Sequence, residues 1–184
     1  MKNNKLRHRV RIIRTLSGSW ALMAILFTGC EQKPQRYTQN STEIDTYKKV
    51  IDAYEKQDWA SMLTHYADTA KIQNNATEKK AQTVSQMVSQ NKEDARLFSS
   101  WDFVDTASEY EMVITDKGET WVNFWGLWQG TLKATGQVYE IPTHSTIQFA
   151  NGKIVKEHGY WDMSALVLDL AKLQETTEVE TAAE

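Results

Sequence analysis

The chain has 184 residues, of which 41% are hydrophobic and 10% aromatic, enough to enclose the core of one domain. Removing residues 1–29 takes away six bases and no acid and leaves 15 bases against 24 acids, so the overall charge of -3 becomes -9. A body that acidic repels nucleic-acid phosphates, and nucleic acid is excluded as a partner.

Lys2, Lys5, Arg7, Arg9, Arg11 and Arg14 precede an apolar run from Trp20 to Phe27, which ends at Thr28-Gly29-Cys30. A membrane span needs about 20 apolar residues, so this run suits the core of an export signal instead. Leu26-Phe27-Thr28-Gly29-Cys30 resembles the bacterial lipobox, with Phe27 where that motif usually has Leu. The resemblance implies a signal peptide over 1–29 and a mature N-terminus at Cys30 that carries lipid. Cys30 is the only cysteine, so no intramolecular disulfide competes for its sulfur. Acyl chains contribute about 0.8 kcal/mol per buried methylene, and two or three hold a protein on a bilayer without a spanning helix. The expected location is therefore the bacterial cell envelope. The outer membrane is the first expectation, and Glu31 leaves the inner membrane open. Residues 30–42 read as a polar lipidated tether.

Apolar positions at Ile44, Tyr47, Val50, Ile51 and Tyr54 predict one helix, with cap-like chemistry at Thr42 and Asp45. Asp58 opens a second helix bearing Trp59, Met62, Leu63 and Tyr66. A short extended piece around Lys71 to Asn74 follows. Residues 78–91 then read as a third helix with a thin stripe of Ala81, Val84, Met87 and Val88, which suggests a peripheral place. From Leu97 to Phe149 the chain is rich in aromatic and β-branched residues, with turn signals at Asp116-Lys117-Gly118 and Thr135-Gly136. Strands are predicted near 98–105, 109–115, 119–132, 137–149 and 153–162, the last two joined by the tight turn Ala150-Asn151-Gly152. Helices first and strands afterwards indicate α+β, an antiparallel meander with helices on one face. Gly126, Gly130 and Gly159 within strands suggest that the sheet curls. A final helix over 164–173 offers Leu166, Val167, Leu170 and Leu173, and 175–184 reads as a disordered acidic tail.

Residues 53–70, a helix-turn-helix closing on Tyr66-Ala67-Asp68, resemble the NTF2-like superfamily and within it the SnoaL-like group. Trp128-Gln129-Gly130, Thr135-Gly136, Asn151-Gly152-Lys153-Ile154 and Tyr160-Trp161-Asp162 follow in that group's order. The likeness covers about residues 44–173, within a domain bounded at 43–174. It implies a conical barrel in which five or six strands wrap three N-terminal helices and a short C-terminal one. It also implies a deep apolar pocket, and a homodimer through the outer face of the sheet. The group spans cyclases, isomerases, hydrolases and binding domains, so fold likeness does not choose an activity. Its cyclase branch has an acid/base Asp near the end of the last strand, which Asp162 matches. Its steroid isomerase branch places a Tyr and two Asp at Val50, Asn74 and about Ser145, where this sequence lacks them.

Period two in the last strand sets His158, Tyr160 and Asp162 on one face and Glu157, Gly159 and Trp161 on the other. Asp162 is the candidate base, with His158 or Tyr160 as helper in proton transfer beside a carbonyl. It also stands where it can cap the final helix. Tyr54, Trp121, Trp125 and His144 are candidate pocket residues. Trp121 and Trp125 share one face of their strand and Phe124 and Trp128 the other, so one side is expected to line the cone and the other to meet a second copy. No His spacing suits a metal, no cofactor is expected, and neither a Gly-x-Ser-x-Gly elbow nor a phosphate loop occurs. The first expectation is thus a lipid-anchored envelope protein whose pocket takes a small, largely apolar molecule. A proton-transfer enzyme using Asp162 and a non-catalytic interaction module, its pocket filled by its own side chains, are the alternatives.

Overall fold

A computed structural model describes residues 35–182, with side chains to 175; Cys30 and the signal peptide expected over 1–29 lie outside the described residues. In the described unit the backbone runs β1 (Tyr37–Thr38), α1 (Thr42–Glu55), α2 (Trp59–Leu63), β2 (Tyr66–Asn74), α3 (Val84–Ala95), β3 (Phe98–Phe103) and β4 (Glu109–Ile114). Then come β5 (Thr120–Leu132), β6 (Val138–Ala150), β7 (Lys153–Trp161) and α4 (Ser164–Ala182). The seven strands form one mixed sheet in the order β1-β4-β5-β6-β7-β2, with β3 on the β5 edge beyond β4. All pairs are antiparallel except β2 with β7. This is an α+β fold of the NTF2-like kind, with more strands than the sequence indicated.

Local chemistry explains where elements start. The Ser41 hydroxyl accepts from the Ile44 amide at 3.2 Å and starts α1, whose buried face is Ile44, Tyr47, Val50 and Ala53. Gln57, at φ 57°, breaks the helix, and the Asp58 carboxylate then accepts from the Ser61 amide at 3.0 Å to start α2. That second helix stops at Leu63, so Tyr66 belongs to a strand and not to the helix face expected for it. The third helix begins at Val84 rather than near residue 78. Thr83 and Gln86 form a reciprocal capping box there, and only a 3-10 turn occupies Glu78–Lys80. Nor is α3 peripheral, because Val84, Met87 and Val88 are buried in the main core. Two segments expected to be loose are ordered. Tyr37–Thr38 pairs with β4, and Arg36 bonds Ile114 and meets Asp116 at 2.6 Å, which pins the end of the tether. The α4 backbone continues to Ala182, since residues 164–184 contain no Gly or Pro to stop it. On α4 Leu166 is buried, whereas Val167, expected beside it, is 54% exposed.

The hairpin from β6 to β7 turns on Asn151 and Gly152, both at positive φ (51° and 74°), as a two-residue turn of the primed kind requires. The long pair of β5 and β6 curls because two rings fold over glycines two residues further on the same face. A Cβ on Gly126 would stand 2.3 Å from the Phe124 ring, and one on Gly130 would stand 2.2 Å from the Trp128 ring. Phe124 is fully buried against Tyr47, Phe103 and Tyr110, and Trp128 packs edge-on against Phe98. Gly130→Ala should therefore displace Trp128 and cost about 1–3 kcal/mol, the usual range for overpacking, read as a lower midpoint in urea unfolding.

Candidate functional site

A cavity of about 480 Å³ opens between the helices and the concave side of the sheet. That exceeds the roughly 300 Å³ at which ligand pockets begin, so the space is not filled by the protein's own side chains. Its inner wall comes from α1 (Tyr47, Val50, Tyr54), β2 (Tyr66, Asn74), β6 (Ile141, Thr143, Ser145) and β7 (Glu157, Trp161). The outer part is formed by Met87, Gln90 and Asp94 of α3, by Phe98, Trp101 and Phe103 of β3, by Trp128, and by Leu166 and Leu170 of α4. Asn75 fastens the end of β2 to the end of β7, donating to the Trp161 carbonyl at 2.9 Å and accepting from the Trp161 amide at 3.1 Å.

The chemistry concentrates at Glu157. Its side chain is only 6% exposed, and the Tyr66 hydroxyl donates to its Oε2 at 2.6 Å. Burial raises the Glu157 carboxyl above its ordinary value, and the bond from Tyr66 opposes that rise in part. Burial and then the nearby charge of Glu157 push Tyr47 and Tyr66 well above the usual phenol value. Tyr54 is pushed up to about 12 by burial, while the Trp128 Nε1–H donates to its hydroxyl at 3.2 Å. Towards the mouth, burial raises Asp94, which accepts from Gln90 at 2.8 Å. Two buried polar atoms on the lining residues have no partner among the described residues, the Asn74 Oδ1 acceptor and the Trp101 Nε1 donor.

Of the candidate catalytic and pocket residues only Tyr54 lines this cavity, joined by Trp128 from the other face of β5. Trp121, Trp125, His144, His158 and Tyr160 stand on the convex side of the sheet. There Trp121 stacks on His158 at 6.1 Å, and His144 lies between Trp125 at 5.0 Å and Tyr160 at 6.4 Å. Trp125 is 41% exposed and Tyr160 53% exposed. Burial lowers His158, with Lys156 adding to the effect, and the His144 Nδ1–H donates to the Phe124 carbonyl at 3.1 Å. Asp162 is exposed, and its carboxylate turns onto the start of α4, accepting from the Ser164 hydroxyl at 2.5 Å and the Ser164 amide at 2.8 Å. Those two bonds hold it below the usual carboxylate value, the opposite of what a poised base needs.

Glu157 faces inward because the inward parity of β7 changes part-way along. Ile154 points inward, but the pairing with β6 slips between Gln148 and Phe149, and after the slip Glu157 and Gly159 are the buried residues. A bulge of this kind moves every later side chain to the opposite face. The signal that could have found it is composition. A lone carboxylate beside Gly159 and Trp161 is the unusual side of this strand, whereas a row of His, Tyr and Asp is ordinary for a solvent-facing side.

A curved sheet closed by helices around a pocket with a buried acid defines an NTF2-like pocket protein. The model of the SnoaL-like polyketide cyclases matches residues 44–170, and the chain belongs to that family. No curated protein matches it in sequence. Among solved structures it is similar to a provisionally assigned polyketide cyclase from Xanthomonas campestris pv. campestris (15% identity, 71% of this chain and 98% of that one, TM-score 0.57). AclR of Streptomyces galilaeus, provisionally assigned as a hydroxylase, is similar at 14% identity over 71% and 96% of the two chains, with TM-score 0.57. An NTF2-like protein of unknown function from Burkholderia pseudomallei is similar at 12% identity over 70% and 96%, with TM-score 0.55. At these identities the likeness establishes the fold, and three different descriptions on one fold leave the chemistry to the residues.

The sign of the Glu157 effect is testable. Its value is raised on folding, so the folded chain binds more protons than the unfolded one above about the ordinary 4.5. Its contribution to stability is then full below that pH and is lost as pH rises through the raised value. In urea unfolding across pH, Glu157→Gln should lack this fall, so the variant gains on the parent as pH increases from about 4.5 and then runs parallel to it.

Proposed function

We propose that this chain is a lipid-anchored protein of the bacterial envelope whose SnoaL-like cavity binds a small, largely apolar molecule at the Glu157 end. The observation that carries the reading is an open space of about 480 Å³, walled mainly by apolar and aromatic side chains, with one deeply buried carboxyl aimed into it. Ligand pockets have this composition, with apolar walls and a few polar groups that fix orientation. The anchor rests on the lipobox-like Leu26 to Cys30 and the lone cysteine. Six residues separate Cys30 from Tyr37, where β1 begins, so an acylated Cys30 would hold the domain within about 25 Å of the bilayer at full extension. Pairing of two copies through the convex face of the sheet is part of the same proposal. Trp125 and Tyr160 are exposed there beside half-buried Trp121, His144 and His158, and a second copy would cover them.

A second reading is favoured by the same carboxyl. A buried acid with a raised value can exchange a proton with a bound carbon acid, so the cyclase-like role expected of Asp162 falls to Glu157 with Tyr66 as its positioning residue. Native mass spectrometry of the purified chain should show a co-purifying molecule or uptake from an apolar library, and Glu157→Gln should change that binding while Asp162→Asn leaves it alone. If Asp162→Asn removes binding and Glu157→Gln does not, the site is misplaced. For the anchor, the membrane-extracted protein should carry a mass increment of diacylglycerol plus acyl chain on Cys30, and Cys30→Ala should release it to the soluble fraction. A single species of monomer mass in analytical ultracentrifugation of the Cys30→Ala protein would remove the pairing.

A further inference from the structure

The polar groups of the cavity are unevenly distributed in charge. Among the described residues two acids line it, Glu157 at the inner wall and Asp94 towards the mouth, and no Lys, Arg or His does. Of the two Glu157 oxygens, Oε2 takes the Tyr66 hydroxyl, while Oε1 has no hydrogen bond among the described residues. On the neighbouring strand, Ile72 pairs with Glu157 and Asn74 with Gly159, so Asn74 stands two residues along from Glu157 on the same wall. Its Oδ1 is buried without a partner. The inner wall therefore presents two acceptors in want of donors, within an aromatic enclosure of Tyr47, Tyr66, Tyr54, Trp101 and Trp128.

Burial makes a carboxyl costly to ionise unless a counter-charge lies beside it, and among the described residues no base lines this wall. An anionic ligand would face two acids and no base. A neutral hydrocarbon would leave both acceptors unsatisfied, whereas a protonated amine donates to them and places its charge against ring faces. We infer that the natural ligand of this cavity is a lipophilic amine bound as its ammonium cation, with Glu157 Oε1 accepting from its N–H group and Asn74 Oδ1 as a second acceptor for an amine that carries more than one N–H. The inference rests on the ligand-binding reading above and narrows it to one class. The apolar body lies among Phe98, Ile141, Leu166 and Leu170, and Asp94 draws the cation towards the opening.

The test is calorimetric titration of the full chain carrying Cys30→Ser with three probes that share a phenyl ring and a short branch. They are N,N-dimethylbenzylamine, a cation at neutral pH; isobutylbenzene, its neutral carbon counterpart; and phenylacetate, an anion. The cation should bind at least about tenfold more tightly than the neutral probe, as expected for a desolvated ammonium held by aromatic faces and a carboxylate, and the anion should not bind. Glu157→Gln should bring the cation down to the level of the neutral probe and leave the neutral probe unchanged. Asp94→Asn, a change at the more accessible end, should weaken the cation a few-fold, so the claim does not hang on one core variant. Equal or tighter binding of isobutylbenzene, or a cation affinity indifferent to both substitutions, overturns the amine inference while the cavity remains a ligand site. Binding of none of the three to a folded protein counts against the ligand-binding reading itself.

Discussion

A carboxyl group removed from water, with one phenol bonded to it and no base among the described residues that line the cavity, sets what this molecule can do. Glu157 sits at the centre of β7, flanked by β6 and β2, and faces α1 through Tyr47. Keeping it there requires the sheet to bend round it and the helices to stand off the sheet. The bend comes from rings lying over Gly126 and Gly130, and the stand-off from Tyr54, Trp101 and Trp128 packed on one another across the gap. Were the sheet flat, the same aliphatic residues would close on the helices, and a buried acid would have no space in front of it. Curvature, cavity and the raised carboxyl pKa are thus one constraint seen at three scales.

Much of the architecture could be read from local patterns. Asn151-Gly152 marks a hairpin because few other pairs accept two positive φ values in succession, and it fixes how β6 meets β7. Ser41 and Asp58 mark helix starts by chemistry, and the aromatic stretch after Leu97 could hardly be anything but strand. Two elements escaped for physical reasons. Residues 67–70 of β2 fall in the irregularity between the Tyr66–Ile154 and Lys71–Lys156 pairs, with Asp68 and Thr69 exposed, so no alternation of their own marks them as strand. The start of α3 depends on the Thr83 and Gln86 pair, a two-residue signal easily outweighed by the charged, helix-favouring run of Glu78, Lys79 and Lys80 before it.

The site was harder to read than the fold because it depends on which of two faces points inward. Period two assigns partners on a face but not the direction of the face. Carrying Ile154 forward two residues at a time leads to His158, Tyr160 and Asp162. One slipped register between Gln148 and Phe149 transfers that direction to Glu157, Gly159 and Trp161. The same ambiguity governed β5, where Val122 and Phe124 are fully buried and Trp121 and Trp125 lie outside. In both strands the residues richest in recognisable chemistry are on the convex side, where stacking of His144, His158 and their aromatic neighbours serves the sheet surface.

Membership of a cyclase family does not by itself give Glu157 a reaction, because proton removal next to a carbonyl needs a donor to hold the oxygen as charge builds on it. Tyr66 already donates to Glu157, and its hydroxyl hydrogen cannot serve both. The unpartnered buried donor among the described residues is Trp101 Nε1, on β3, whereas Asn74 Oδ1 is an acceptor on the wall that carries the carboxyl, two residues along from it. A carbonyl substrate would find its donors in the hydroxyls of Tyr47 and Tyr54 on α1 or in a protonated Glu157, whereas a ligand carrying N–H groups would meet acceptors at Glu157 and Asn74. The balance of donors and acceptors on the wall, a property of this chain and not of its fold, favours a cavity that holds a cation over one that stabilises an enolate. If Glu157 also moves a proton, its partner is then more naturally the ligand's nitrogen than a carbon, because nitrogen releases and takes protons without an oxyanion to support.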